Sequence, residues 1–118
     1  MPDFILFLHR QAGPPPALAP EQIMAMIKDY SGWADRMRKE GRFKAGDKLT
    51  NDAGRVMRAR GGRISVTDGP YAESKELVGG YFIISAKDYD EACRIAESNP
   101  HFKYGGNIEV RQVDAVSR

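Results

Sequence analysis

Acid–base chemistry in this chain has two candidate groups, which lie far apart along the sequence. His9 closes an apolar run and precedes Arg10, and Asp68 begins an Asp-Gly-Pro-Tyr segment. Histidine exchanges a proton near neutral pH, and a carboxylate whose pKa is raised can serve as a general base. We therefore predict His9 and Asp68 as catalytic residues. The alternative is structural, with His9 as a strand-end residue and Asp68 as a side chain that ties its loop together.

Residues that could hold a small molecule lie in the same two regions and on the first helix. Arginine and lysine bind carboxylates and phosphates, and aromatic side chains line small pockets. The predicted ligand-binding residues are Arg10, Tyr30, Trp33, Gly69, Pro70, Tyr71, Glu73 and Lys75. Six of them have a structural alternative, namely core packing for the helix aromatics, a solvated ion pair for Glu73 and Lys75, and turn formation for the Gly-Pro pair.

Metal and cofactor chemistry finds little support in the composition. One cysteine and two histidines cannot form a multi-cysteine or histidine-rich metal site. We therefore predict no metal and no cofactor. Cys93 is interpreted as a small apolar side chain on the buried stripe of the second helix, together with Tyr89, and His101 as a surface loop residue.

Hydrophobic periodicity predicts the elements that must hold these residues. Steps of two indicate strands and steps of three and four indicate helices. The predicted strands cover 4–8, 43–49, 56–60, 63–67, 78–86 and 108–113, with helices over 20–40 and from Asp88 to Asn99. Gly61-Gly62 suits the primed turn of a hairpin. The order predicts an α+β, ferredoxin-like split βαβ fold, an antiparallel sheet with two helices on one face and an inserted hairpin.

Burial and charge predict the partners. At 118 residues the chain is one domain, 1–118, and two helices cover only one face of its sheet. Strands 4–8 and 78–86 are apolar on both faces, so we predict a homodimer. Residues 36–63 hold ten Lys and Arg against three Asp and Glu, yet the net charge is only +2. We interpret the basic hairpin as a solvated surface that meets the partner subunit or an anionic ligand, and we expect neither a nucleic-acid nor a membrane partner. The absence of an export segment and the single cysteine predict a cytoplasmic protein.

Several segments resemble the YCII-related, DGPF-domain family. They are VTDGPYAESKE over 66–76, Gly79-Gly80-Tyr81, the ending GGNIEVR over 105–111, and the Glu21-Gln22 start of a helix that carries Tyr30 and Trp33. The resemblance implies a dimeric α+β barrel. It also implies a family mostly without assigned activity, some of whose members are associated with alternative sigma factors.

One departure from the founding branch of that family bears on catalysis. A His–Asp pair has been suggested for that branch, with the histidine in the first helix, and this helix has none. Asn99-Pro100 also replaces the Asp-Pro of the branch. The dyad therefore does not carry over, whereas Asp68-Gly69-Pro70-Tyr71, Glu73, Lys75, Gly79 and Gly80 do.

Besides a nucleic-acid binder that uses the basic hairpin, which is the least favoured alternative, two functions stay open at this stage. The first is an enzyme that uses acid–base chemistry on a small, anionic molecule near the dimer interface. The second is a non-catalytic ligand-binding or regulatory module that works with a sigma factor. The sequence alone does not decide whether a reaction is catalysed.

Overall fold

The computed structural model describes residues 1–69 and 75–117, which form six strands and two helices. The elements are β1 (Asp3–Gln11), α1 (Pro20–Lys39), β2 (Phe43–Lys48), β3 (Arg55–Arg60), β4 (Arg63–Asp68), β5 (Glu76–Ser85), α2 (Tyr89–Glu97) and β6 (Asn107–Gln112). A 3-10 turn at Pro100–Tyr104, the 100–104 turn, links α2 to β6, and a second one covers Ala115–Ser117.

The strands form two antiparallel sheets. The main sheet has the order β2-β5-β1-β6, and β3 pairs with β4 alone. Gly61 and Gly62 turn the hairpin with φ angles of +52° and +77°, as a primed turn requires. The predicted α+β fold with its inserted hairpin is therefore confirmed.

Helix α1 packs on the sheet through its C-terminal half only. Trp33, Ala34 and Met37 are buried there. The apolar stripe of the sequence continues toward the N-terminus through Ile23 and Ile27, but these side chains are 46% and 59% exposed. The helix is about 30 Å long, so its first turns extend past the core.

The core lies between the two helices and one face of the main sheet. Alternate residues of β1 and β5 point into it because strand side chains alternate between faces. The buried apolar side chains are Phe4, Leu6, Leu8, Trp33, Ala34, Met37, Phe82, Ile84, Ala86, Ala92 and Ala96.

Helix α2 begins at the predicted Asp88 cap, whose side chain accepts from the Glu91 backbone N–H at 2.9 Å. The predicted buried stripe is right for Ala92 and Ala96 and wrong for Tyr89 and Cys93. Tyr89 is 45% exposed, and Cys93 is exposed as well. With 100° per residue, Cys93 lies on the flank of the Ala92–Ala96 line and faces outward.

The other face of the main sheet is open. The open face, as we name it, carries Ile5 and Phe7 of β1 with their register partners Ile83 and Tyr81 of β5. Neither helix covers these half-buried side chains, and the protein is a slab with extents of 48 × 44 × 19 Å. A thickness of 19 Å fits one sheet and one helix layer, because packed layers lie about 10 Å apart.

Candidate functional site

A histidine–carboxylate pair lies on the open face. His9 Nε2 donates to Glu109 Oε1 at 2.9 Å. His9 ends the part of β1 that pairs with β6. Glu109 of β6 is the register partner of Phe7, two residues before His9, so the contact runs diagonally between neighbouring strands. The hydrogen bond from His9 is the main cause that lowers the pKa of Glu109 below its usual 4.5.

The two ring nitrogens of His9 differ in their surroundings. Because a carboxylate only accepts, Nε2 carries the proton in this hydrogen bond. Within the part of the chain that the structure describes, the buried Nδ1 atom has no hydrogen-bond partner. A bound molecule can therefore exchange a proton with the pair only on the Nε2 side of the ring, where the Glu109 side chain is 46% exposed.

One arginine follows His9 in β1 and another lies two residues after Glu109 in β6, and the two differ in availability. Arg10 donates to the backbone carbonyl oxygens of Gln11, Gly13 and Asn51 at 3.2, 3.0 and 2.6 Å, which fastens two loops to the end of β1. Arg111 Nη1 lies 3.7 Å from Glu109 Oε2, and its side chain is 67% exposed. Compared with Arg10, Arg111 therefore has more guanidinium N–H groups available to bind a ligand beside the pair.

His101 contradicts its predicted surface role. It is only 9% exposed and lies in the 100–104 turn. The backbone N–H of His101 donates to the Asn99 side chain at 2.9 Å, and Nδ1 of the His101 ring contacts the Tyr30 hydroxyl at 2.9 Å. Asn99 follows α2 and caps this turn, so the chain buries a histidine where the sequence suggested a loop.

Tyr30 and Trp33, predicted ligand-binding residues, lie between α1 and the core. Trp33 is 1% exposed and donates to Ser98 Oγ at 2.8 Å. Tyr30 is half-buried beside Tyr104, and its pKa is raised to about 12, mainly by burial. These contacts match the core-packing alternative for both residues.

Asp68 lies on the hairpin rather than on the main sheet. It is the register partner of Arg55 at the open end of β3–β4. The adjoining Gly69 N–H donates to the Gly54 carbonyl oxygen at 2.9 Å, and a Cβ at Gly69 would lie 2.6 Å from the Ala53 carbonyl oxygen. Only glycine allows this close approach.

An open pocket of about 330 Å³ adjoins this turn, lined by Asp52, Ala53, Gly54, Arg55, Asp68 and Gly69.

The structure puts Asp68 and His9 on different sheets, and His9 takes Glu109 as its carboxylate partner. Exposed Lys75 precedes β5, where its carbonyl oxygen accepts from the Ala12 N–H at 2.9 Å. Predicted residues Pro70, Tyr71 and Glu73 lie outside the described residues.

Glu109 and Arg111 were not among the predicted site residues, although a signal for them exists. Residues 108–113 alternate, which puts Glu109 and Arg111 on the face opposite Ile108 and Val110. The last strand of a ferredoxin-like sheet lies beside the first, so those two side chains must neighbour the odd-numbered residues of β1.

Metal ligands do not cluster: across residues 1–69 and 75–117, no group of three or more histidine, cysteine, aspartate or glutamate side chains is arranged to hold an ion. In the same residues, neither helix combines the length and the apolar composition needed to cross a membrane.

Comparison with known proteins defines the class of the chain. The family model for the YCII-related domain matches residues 5–116, almost the whole length. The protein therefore belongs to the YCII-related family. No curated protein matches the sequence.

Proposed function

We propose that this protein is an enzyme that moves a proton on a small anionic molecule, with His9 and Glu109 as the catalytic pair. The observation that carries the proposal is the 2.9 Å contact between His9 Nε2 and Glu109 Oε1 on the open face. A carboxylate that accepts from one ring nitrogen orients the imidazole and stabilises its protonated form. Membership of the YCII-related family supports no particular reaction.

The position of the proton suggests where a substrate binds. Nδ1 is shielded from solvent, so exchange takes place at the Nε2 edge, which faces the exposed carboxylate. With the ring protonated at both nitrogens, Nε2 gives its proton to a bound molecule next to this edge, and the ring keeps the proton on Nδ1. In the reverse direction, Nε2 of this neutral ring takes a proton from the molecule. In both directions the Glu109 carboxylate stabilises the positive charge of the protonated ring.

The surroundings of the pair favour a small anion. Arg111 is exposed and lies 3.7 Å from Glu109 Oε2, so its remaining donors can hold a carboxylate or a phosphate. Phe7 lies between Glu109 and Tyr81 in the register of the sheet and provides an apolar floor. Tyr81 is itself fixed, since its hydroxyl donates to Asp47 Oδ2 at 2.8 Å.

We further propose that a second copy of the chain covers the open face. Ile5, Phe7, Tyr81 and Ile83 form a central apolar patch with charged residues around it, as in protein interfaces. The same cover would enclose the His9–Glu109 pair. Exclusion of water strengthens electrostatic interactions in such a site.

Solvent exchange in deuterated water tests the proposed activity across a panel of small carboxylates and phosphate esters. Proton NMR follows the carbon-bound protons of each compound in the presence of the protein. We expect at least one compound to exchange, and His9→Gln or Glu109→Gln to slow it about 100-fold or more, the lower end for general acid–base catalysis.

A matched control comes from another exposed ion pair. Asp35 contacts Arg38 at 2.8 Å on α1, away from the open face, so Asp35→Asn should keep the wild-type rate. Two results would contradict the proposal: no compound exchanges above the rate without protein, or His9→Gln exchanges as fast as wild type.

A further inference from the structure

The β3–β4 hairpin has one apolar face and one polar face. Residues that oppose each other across an antiparallel pair project to the same side. Met57 opposes Val66, and Ala59 opposes Ile64. We name these four residues the hairpin apolar face. The charged pair Arg55–Asp68 lies on the same side, at the open end of the hairpin, and the opposite side carries the pairs Val56–Thr67, Arg58–Ser65 and Arg60–Arg63.

The hairpin apolar face is exposed in the isolated subunit. Met57, Ile64 and Val66 are 62%, 69% and 52% exposed. A two-stranded hairpin is marginally stable in water unless a third strand or a helix covers its apolar side. Contiguous exposed apolar side chains of this kind mark an interaction surface.

A second unpartnered apolar surface lies on the same chain. We name it the α1 overhang: Ile23, Met24 and Ile27, in the helix half that extends past the core, are 46%, 58% and 59% exposed. Ile23 and Ile27 are four residues apart and share one side of the helix. The overhang could receive a short apolar ribbon.

Charge favours a second copy as the partner of the hairpin. The β3–β4 hairpin, residues 55–68, holds four Arg against one Asp, whereas residues 1–35, which contain the α1 overhang, hold two Lys and Arg against four Asp and Glu. A basic arm therefore complements the acidic body of another subunit. A nucleic acid would engage the arginine side and leave the hairpin apolar face uncovered.

We propose that the hairpin apolar face docks on the α1 overhang of a second copy of this chain. In a two-fold dimer each subunit contributes one hairpin apolar face and one α1 overhang, so the contact occurs twice. This contact is additional to the proposed acid–base site and does not depend on His9 or Glu109.

Disulfide trapping between two different single-cysteine chains tests the contact. Both chains carry Cys93→Ser, one with Ile64→Cys and the other with Ile27→Cys, and they are mixed and oxidised. We expect a heterodimer as the main cross-linked product. Lys28→Cys in place of Ile27→Cys is the control, since it projects about 100° away on the helix, and it should cross-link at least ~10-fold less.

A second pair, Val66→Cys with Met24→Cys, should also cross-link. It shows whether the result depends on the two surfaces or on the particular residues replaced in the first pair. Equal yields for Ile27→Cys and Lys28→Cys, or no cross-link with either pair, would overturn the proposal. Binding of duplex DNA that Arg60→Ala abolishes, without any cross-link, would overturn it in favour of a nucleic-acid surface. The His9→Gln background should give the same cross-links, which separates this result from the proposed activity.

Discussion

The side chain of His101 holds the backbone of His9, because its Nε2–H donates to the His9 carbonyl oxygen across 2.7 Å. A carbonyl oxygen only accepts, so in the neutral ring Nδ1 carries the lone pair and accepts from the Tyr30 hydroxyl. This arrangement joins α1, the 100–104 turn and the end of β1. His101 thereby fixes the strand position from which His9 reaches Glu109.

Loss of the His101 hydrogen bonds should destabilise the fold. His101→Phe keeps a ring but leaves the Tyr30 hydroxyl and the His9 carbonyl oxygen unpaired, which we expect to cost about 1–3 kcal/mol. Tyr30→Phe removes one hydrogen bond and should cost about 1 kcal/mol. Urea denaturation followed by the fluorescence of Trp33, the one tryptophan of the chain, measures both. Equal stability of His101→Phe and wild type would contradict this role.

Gly106 makes room for the His101 ring. A Cβ at this position would lie 2.0 Å from His101 Nε2, so Gly106→Ala must displace the ring from the His9 carbonyl oxygen. We expect a loss of about 1–3 kcal/mol, as for other overpacked sites. Gly32→Ala is the control. Gly32 lies in the middle of α1, and a Cβ added there would have no atom within 4 Å. It should stabilise the protein by about 0.5–1 kcal/mol in the same denaturation experiment.

Glu91 should make stability depend on pH in the acid range. The Lys87 backbone N–H and then the Arg42 side chain hold the pKa of Glu91 below its usual 4.5. A carboxylate with a lowered pKa stabilises the folded state above its unfolded pKa and loses that contribution as the pH falls through the folded value. The stability difference between wild type and Glu91→Gln should therefore be constant above about pH 5 and shrink below pH 4.5. A difference that grows on acidification would contradict the shift.

Association through the open face predicts a dimer that one charge can disrupt. Ile83 lies opposite Ile5 and Ala45 in the middle of that face. We expect wild type to sediment as a dimer at micromolar concentration and Ile83→Arg, which leaves only the hairpin contact, to dissociate at least ~10-fold more readily with an unchanged far-ultraviolet circular dichroism spectrum. Ala25→Arg adds the same side chain at an exposed position of α1, about 160° round the helix from Ile23 and Ile27, and should remain dimeric. A wild-type monomer would rule out this interface.

The backbone plan was predictable because periodicity and local signals agree. Helix α1 occupies Pro20–Lys39 against the predicted 20–40, and the glycine pair turns the hairpin at the predicted place. The apolar runs at 4–8 and 78–86 lie in the two central strands of the main sheet. Neighbouring residues determine each of these features, so one sequence contains the information.

The candidate site was only partly predictable because it depends on contacts between distant segments. His9 was identified, but its partner Glu109 is 100 residues away and becomes adjacent only when β6 pairs with β1. The burial of His101 likewise depends on Tyr30 and on the space at Gly106. Arg10 has the donors of an anion clamp, yet the loop carbonyl oxygens that it binds could not be read from its neighbours.

Coupling between His9 and Glu109 is the central claim, and a double-mutant cycle on the solvent-exchange rate measures it most directly. If the two residues act as one acid–base unit, His9→Gln with Glu109→Gln should lower the rate no more than either single substitution does, since residues of one catalytic unit are strongly non-additive. The measurement compares wild type, both single variants and the double variant with the same compound. Losses that multiply in the double variant, or a single variant with the wild-type rate, would contradict the account.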